Sequence, residues 1–308
     1  MKTFLHPSFT FFLNKRECET IGNKKTKLNA EVSTFCRTIT DQIAALEKNH
    51  TRDQIITAIA PFRQLLRESS LLMRTQDWPR GYAGDFETIE AIIKKKNTST
   101  LYSRAYYFED YFIYSPIAQQ HRNKIACQRE AIRACISKNP KAKILSIGCG
   151  GSEDLYLNIS EIQKSNAQFT LIDIDADALA YSRKKLQAIE DRITTHQGNI
   201  FKIIHQLSDS YDLILIGGVF DYVSDKFIKT ILRKLFTFNL SASGTILFTN
   251  IAENNPFRIP LEYFFNWFLI ERTKEQLLKL IQSIEISFQD LRIEKEETGL
   301  TYLVYLKK

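Results

Sequence analysis

The sequence predicts an α/β protein: a helical first part followed by a mostly parallel, doubly wound sheet. Three observations carry this. Up to about residue 139, apolar residues recur at three- and four-residue spacing with no strong strand pattern, as amphipathic helices require. From Ile144 onward, short apolar runs alternate with helical patterns, the mark of strands buried on both faces of a parallel sheet. The first of these runs opens directly into Gly148-Cys-Gly-Gly-Ser152, a strand–turn–helix transition that lets a ligand approach the backbone closely.

The 308 residues suffice for one large domain or two ordinary ones. With 44% hydrophobic and 25% charged residues, the composition is that of a soluble globular protein. Five cysteines at irregular spacing match neither a metal site nor a disulfide framework. No metal is expected, and a reducing cytoplasm fits the cysteines best. The apolar run Phe4–Leu13 is broken by His6, Pro7 and Ser8; it is too short to span a bilayer and lacks a signal-peptide cleavage site. No transmembrane segment is therefore expected.

Charge is unevenly placed. Residues 1–140 hold 22 Lys/Arg against 14 Asp/Glu, a net of +8, while residues 141–308 hold 20 against 21, a net of −1. The basic residues are scattered and accompany no nucleic-acid-binding motif, so nucleic acid is not the expected partner. An anionic small molecule, an acidic carrier protein or a lipid surface would answer the excess. So would a solvated basic face with no partner at all.

Taken in order, residues 1–27 show no clear pattern. Helices are expected over 28–50 and 53–72, with Pro61 kinking or splitting the second. Trp78–Phe86 carries Pro79, Gly81 and Gly84 and reads as a tight loop, after which Asp85 can cap a helix to Lys95. Tyr102–Tyr114 holds five tyrosines and two phenylalanines, expected on a packed helix surface. Pro116 opens a long helix to about Lys138, with Gln119, His121, Arg122 and Asn123 in its first two turns. Strands follow at 144–147, 168–173, 193–196, 211–216 and 244–249, with helices over 155–164, 176–189, 201–207, 225–238 and 274–284. Residues 290–297 and 302–307 close the chain as a hairpin around Gly299, with the alternating polarity of antiparallel edge strands. The expected division is a helical cap enclosing the substrate over 1–139 and a ligand-binding sheet domain over 140–308.

In such a sheet, ligands bind over the carboxyl ends of the strands. The first strand ends in Gly148, Gly150 and Gly151. The second ends in Asp173, next to Ile174, and a carboxylate there can accept both hydroxyls of a ribose. The third leads to Asn199, Ile200 and Phe201, able to bond the amine edge of an adenine and to pack on its face. The fourth ends in Gly217-Gly-Val-Phe-Asp-Tyr222, a bend that would set polar side chains over a reacting centre. Each is weak alone; four in order are strong.

This ordered set resembles the class I S-adenosylmethionine-dependent methyltransferases, with Gly148-Cys-Gly150 as cofactor loop and Asp173 as ribose acid. A nicotinamide cofactor is disfavoured, because Glu153 stands where the third glycine of the dinucleotide fingerprint belongs. The resemblance implies S-adenosyl-L-methionine as cofactor. It also implies a Rossmann-like methyltransferase fold: a seven-stranded, mostly parallel sheet with an antiparallel last strand, preceded by an N-terminal α-helical cap. From about residue 70 to the end, Arg80–Phe86, Gln119–Asn123, Gly218–Asp225 and Leu261–Arg272 resemble a bacterial subgroup with an N-terminal helical domain. It includes enzymes associated with forming 3-hydroxy fatty acid methyl esters and enzymes that cyclise S-adenosylmethionine to azetidine-2-carboxylic acid, releasing methylthioadenosine. The chain departs from that pattern at Gly151-Ser-Glu-Asp154, where a proline-containing turn is expected.

The expected activity is methyl transfer to a small molecule, at a carboxylate or hydroxyl and with a fatty acid derivative among the candidates. Asp221 and Tyr222 would orient the acceptor or the cofactor's amino group, His121 would serve as base where one is needed, and Arg80 and Arg122, beside Tyr82, would clamp a carboxylate. Self-cyclisation is the alternative, with Asn123, Tyr222 and Asn250 around the amine and Tyr106 and Tyr107 excluding an external acceptor. A non-catalytic S-adenosylmethionine- or nucleic-acid-binding module is the third reading. The aromatic run Phe257–Phe268 reads either as a wall for a lipid acceptor or as a helix packing the cap onto the sheet.

Overall fold

Seven strands form where the apolar runs place them: β1 Lys143–Ile147, β2 Gln168–Asp173, β3 Ile193–Gln197, β4 Tyr211–Ile216, β5 Leu240–Ile251, β6 Asp290–Lys295 and β7 Thr301–Lys307. The structure, a computed structural model, describes residues 23–308, and the Phe4–Leu13 run lies outside the described residues. The strands join one sheet in the order β3-β2-β1-β4-β5-β7-β6. Strands β1 to β5 pair in parallel, and β7 runs antiparallel to β5 and β6. This is the expected Rossmann-like methyltransferase sheet.

One placement differs from expectation. The closing hairpin forms, but β7 is no edge strand: it is inserted between β5 and β6, pairing Ile251 with Thr301 on one side and Lys295 with Tyr302 on the other. The burial pattern explains why. Thr301–Val304 are buried without a break, as a strand with neighbours on both sides requires, whereas β6 alternates between exposed and half-buried residues. The edge belongs to β6 alone.

The sheet separates two apolar layers by period-two alternation. Leu145, Ile147, Ile214, Ile216 and Phe248 belong to one layer. Ile144, Phe169, Leu171, Leu213, Leu215 and Leu247 belong to the other.

Among the described residues the helical part contains α1 Asn23–Leu46, α2 Arg52–Ala58, α3 Ala60–Leu66, α4 Ser70–Asp77, α5 Phe86–Ile93, α6 Arg104–Ile113 and α7 Pro116–Lys138. The helix expected over 53–72 is thus three pieces. Thr51 and Gln54 form a capping box for α2, Pro61 sits in the first turn of α3 where its missing N–H is not needed, and Ser69 caps α4. Asp85 caps α5 as expected, accepting from the Thr88 N–H at 2.9 Å. None of the described helices is long and apolar enough to cross a membrane.

The chain divides into two compact units: a helical one ending at Gln119 and regaining Pro256–Phe268, and a sheet unit of residues 120–255 and 269–308. The boundary expected at 139/140 follows the change from helix to strand, but the division falls within α7. The reason is packing, since Ile132 and Ile136 of α7 belong to an apolar layer of the sheet.

The Phe257–Phe268 run contains one π-helical turn, Pro260–Phe264, in place of a regular helix. Within the helical unit Arg52 donates to the Glu262 carbonyl and Arg63 to the Tyr263 and Phe264 carbonyls. Phe264 stacks edge-on against Phe62 at 4.8 Å. The cavity beside these rings is about 20 Å³, room for a water-sized molecule and too small for an alkyl chain.

Candidate cofactor and acceptor site

The strand order reverses between β1 and β4, and the glycine loop lies at the carboxyl end of β1. Gly148 (φ +64°), Gly150 (φ +50°) and Ser152 (φ +48°) take left-handed conformations. Gly148 has a second reason to be glycine, because a Cβ there would lie 2.5 Å from Val219 Cγ2. Asp173, ending β2, ties the loop down: Oδ2 accepts from the Gly150 N–H at 2.8 Å and Oδ1 from the Asp175 N–H at 3.0 Å.

The opposite side of the loop is held by the helix α8, Ala176–Lys185. Ser182 Oγ donates to the Gly150 carbonyl at 2.6 Å, and Lys185 Nζ, three residues on, donates to the Gly151 carbonyl at 3.0 Å. Ser152 Oγ donates to Ser182 Oγ at 3.1 Å, and Glu153 pairs with Lys185. This explains Gly151-Ser-Glu-Asp154. A proline turn is unnecessary where side chains from α8 pin the loop.

Asp173 is buried, and burial raises its carboxyl pKa against the lowering effect of the Asp175 and Gly150 N–H groups. Each carboxylate oxygen still has a lone pair to offer. Ile174 beside it is 60% exposed, open to a ligand. Past β3, Asn199 caps the short helix Ile200–Ile203 by accepting from the Phe201 N–H at 2.9 Å, and Phe201 stacks on Phe227 at 4.6 Å. The expected set Gly148, Gly150, Gly151, Asp173, Ile174, Asn199, Ile200 and Phe201 is therefore brought to three adjacent strand ends.

The bend after β4 is built more heavily than the sequence suggests. A Cβ at Gly217 would fall 2.0 Å from Gln128 Nε2, so a larger residue there would have to displace the Gln128 side chain. Asp221 is buried; its Oδ1 accepts from the Ile251 N–H at 2.6 Å and its Oδ2 lies 3.9 Å from Lys124 Nζ. Burial raises the Asp221 pKa and lowers that of Lys124, each opposed by the other's charge. Tyr222 is 45% exposed. Arg272, 3% exposed, braces the bend by donating to the Phe220 carbonyl at 2.9 Å, the Val223 carbonyl at 2.7 Å and Asn250 Oδ1 at 2.6 Å, and by pairing with Asp225.

Asn250 is corrected by this arrangement. It is fully buried, and its Nδ2 donates to the Ile251 and Ile270 carbonyls at 2.8 and 3.0 Å. It belongs to the scaffold behind the bend, not to the substrate contacts expected for it. On α7, Asn123 donates to Glu296 Oε2 at 2.7 Å, and Glu296 in turn closes the β6–β7 turn by accepting from the Thr298, Leu300 and Thr301 N–H groups. His121 has its pKa driven well below 6.5 by burial and by the charges of Lys124 and Arg122, so it is neutral at pH 7.

Arg80, Tyr82, Tyr106 and Tyr107 belong to the helical unit. Arg80 pairs with Glu87 at 3.0 Å and lies over the Phe86 ring at 4.5 Å. Tyr107 is buried, 5.4 Å from Tyr106 in an edge-on pair. Sequence reasoning passed over Lys124, Gln128, Ser182, Lys185, Glu296 and Arg272. The only trace was the four-residue spacing Gln120–Lys124–Gln128, which reads as a solvated face.

Residues 138–286 match the model of the family described as a methyltransferase domain. That span is just under half of the chain. No curated protein matches the sequence. Among solved structures, one described as a possible exported protein from Bordetella parapertussis aligns over 85% of this chain and 98% of its own with a TM-score of 0.62 at 18% identity, which shows a shared fold. Magnesium protoporphyrin IX methyltransferase from Synechocystis PCC 6803 aligns over 63% of this chain and 85% of its own (TM-score 0.47, 11% identity). N-methyltransferase NodS from Bradyrhizobium japonicum WM9 aligns over 59% and 86% (TM-score 0.43, 14% identity). The sheet order is that of the Rossmann-like methyltransferase fold, and residues 138–286 of the chain are similar to the methyltransferase domain family. Its cofactor is S-adenosyl-L-methionine. The residues present fit that cofactor: an open glycine turn, a fixed carboxylate one strand over and an exposed apolar side chain at Ile174.

Proposed function

We propose that the chain methylates a small-molecule acid, with a carboxylate favoured over a hydroxyl as acceptor. The observation that carries this reading is Lys124, buried at the β4 bend with its Nζ 3.9 Å from Asp221 Oδ2, a cation suited to an anionic acceptor. His121, whose pKa is lowered by burial and by Lys124 and Arg122, is a poor proton acceptor at pH 7. A carboxylate is already ionised at that pH and needs no base. The net of +8 over residues 1–140 supports the same choice.

S-adenosylmethionine, when bound, supplies an electrophilic methyl group on a sulfonium with a neutral thioether as leaving group. The residues of the chain then have three tasks. Gly148, Gly150 and Asp173 hold the cofactor, with Asn199, Ile200 and Phe201 toward its base. Asp221 and Lys124 set the electrostatics of the β4 bend, and Tyr222 stands beside them, 45% exposed. Arg122, on α7, is the candidate for seating the acceptor.

The test is incubation of purified protein with S-adenosylmethionine and matched acids, alcohols and methyl esters, with products read by mass spectrometry. S-adenosylhomocysteine and a methyl ester appearing only with an acid are expected. Methylation of alcohols alone would move the acceptor to a hydroxyl. Methylthioadenosine with azetidine-2-carboxylate, formed without any acceptor, would replace methyl transfer by self-cyclisation.

A further inference from the structure

The helix α7 presents a buried polar stripe to the sheet unit: Gln120, Lys124 and Gln128, at 1%, 4% and 6% exposure. Two of the three are accounted for. Gln120 Oε1 accepts from Thr301 Oγ1 at 2.8 Å, and Gln128 fills the space left by the missing side chain of Gly217. Lys124 differs. Among the described residues its one polar contact is Asp221 Oδ2 at 3.9 Å, beyond hydrogen-bond reach. Asp221 Oδ1 is already taken by the Ile251 N–H. Glu296, whose charge also reaches Lys124, spends its carboxylate on Asn123, Thr298, Leu300 and Thr301. An ammonium carries three donors, and a buried one without acceptors is costly to keep.

Gly218 packs beside that ammonium: a Cβ there would lie 3.7 Å from Lys124 Nζ and 4.0 Å from Asp221 Oδ2. The glycine loop is contiguous with this bend through the contact of Gly148 with Val219, so one extended ligand can touch both. We propose that Lys124 anchors a ligand carboxylate at the β4 bend, above Gly218, the ammonium donating to the carboxylate oxygens. The inference rests on the methyltransferase reading. Two ligands could carry that carboxylate: the methionine arm of the cofactor, or the acid acceptor.

Calorimetry on the full chain separates them. The probes are S-adenosylmethionine, its decarboxylated form, and, on protein loaded with S-adenosylhomocysteine, hexanoate and methyl hexanoate. If the cofactor supplies the carboxylate, Lys124→Met weakens S-adenosylmethionine about ten- to a hundredfold, leaves the decarboxylated form within about twofold, and Lys124→Arg restores most of the loss. If the acceptor supplies it, cofactor affinity is unchanged, while hexanoate binds the wild type and not Lys124→Met, and methyl hexanoate treats the two alike. Equal affinities of wild type and Lys124→Met for S-adenosylmethionine and hexanoate overturn the proposal. Should Lys124→Met not fold, the wild type decides alone: binding that distinguishes neither ligand pair overturns the anchor. A wild type that binds neither S-adenosylmethionine nor S-adenosylhomocysteine refutes instead the methyltransferase reading beneath it.

Discussion

Asp154 offers the sharpest quantitative test of how the glycine loop is held. Its carboxyl is buried at 4% exposure directly after the loop, and its pKa rises from 3.8 to about 6. Burial is the largest cause, resisted by hydrogen bonds including the one from the Leu155 N–H to Oδ1 at 2.9 Å, and by the charge of Lys185. A carboxyl whose folded pKa is raised contributes stability that is complete below the unfolded value and lost as pH climbs through the folded one. The window therefore runs from about pH 4 to about pH 6, and the loss is worth about 3 kcal/mol at 1.36 kcal/mol per unit of pKa. Asp154→Asn keeps an acceptor for the Leu155 N–H and removes the titration. The variant should match the wild type near pH 4 and exceed it by about 3 kcal/mol at pH 7, the difference opening between those values. Both tryptophans, Trp78 and Trp267, lie in the helical unit, so their fluorescence would report on the wrong part of the chain. Hydrogen exchange of β1 and β4 amides reads the sheet unit directly. Stabilities of variant and wild type that run parallel from pH 4 to pH 7 would refute the argument.

Further outcomes follow from the same contacts. Asp173→Ala removes the acceptor for the Gly150 and Asp175 N–H groups, and affinity for S-adenosylhomocysteine by calorimetry should fall at least about tenfold; unchanged binding would show that the carboxylate neither holds the loop nor meets the ribose. Arg272→Met strands the Phe220 and Val223 carbonyls and should lower sheet stability by about 3 kcal/mol or more in urea unfolding followed by circular dichroism. Gly217→Ala should cost about 1–3 kcal/mol by overpacking against Gln128, and Gln128→Ala in the same chain should recover most of it; additive losses would place the strain elsewhere.

Much of the fold was legible because its signals are local. The apolar runs at 168–173 and 211–216 are the strands themselves, and Asp85 and Pro116 mark helix starts as caps and first-turn prolines do. Boundaries were lost where another interaction took over. Ser69 starts a new helix inside the expected 53–72 span, and the helix expected over 225–238 gives way at Lys234 to a π-helical segment, Leu235–Asn239. The expected antiparallel edge at 302–307 failed for a non-local reason. Nothing in that segment says which strand will lie beside it, and only the sheet order shows it taking neighbours on both sides.

The site divides in the same way. That glycines 148 and 150, Asp173 and Asn199 come to neighbouring strand ends could be read from sequence, because a strand end fixes where the next few residues must lie. Asn250 also sits at a strand end, yet Arg272, reached across the fold, spends its amide on the scaffold. By itself the sequence determined the fold, the glycine loop and the acid that ties it, since chain direction and strand periodicity place these within a few residues of one another. Only the tertiary structure decided what faces the β4 bend. A lysine on a polar helix looks solvated until the sheet packs over it. Burial without a hydrogen-bond partner, not residue type, is what sets Lys124 apart from the other described basic residues.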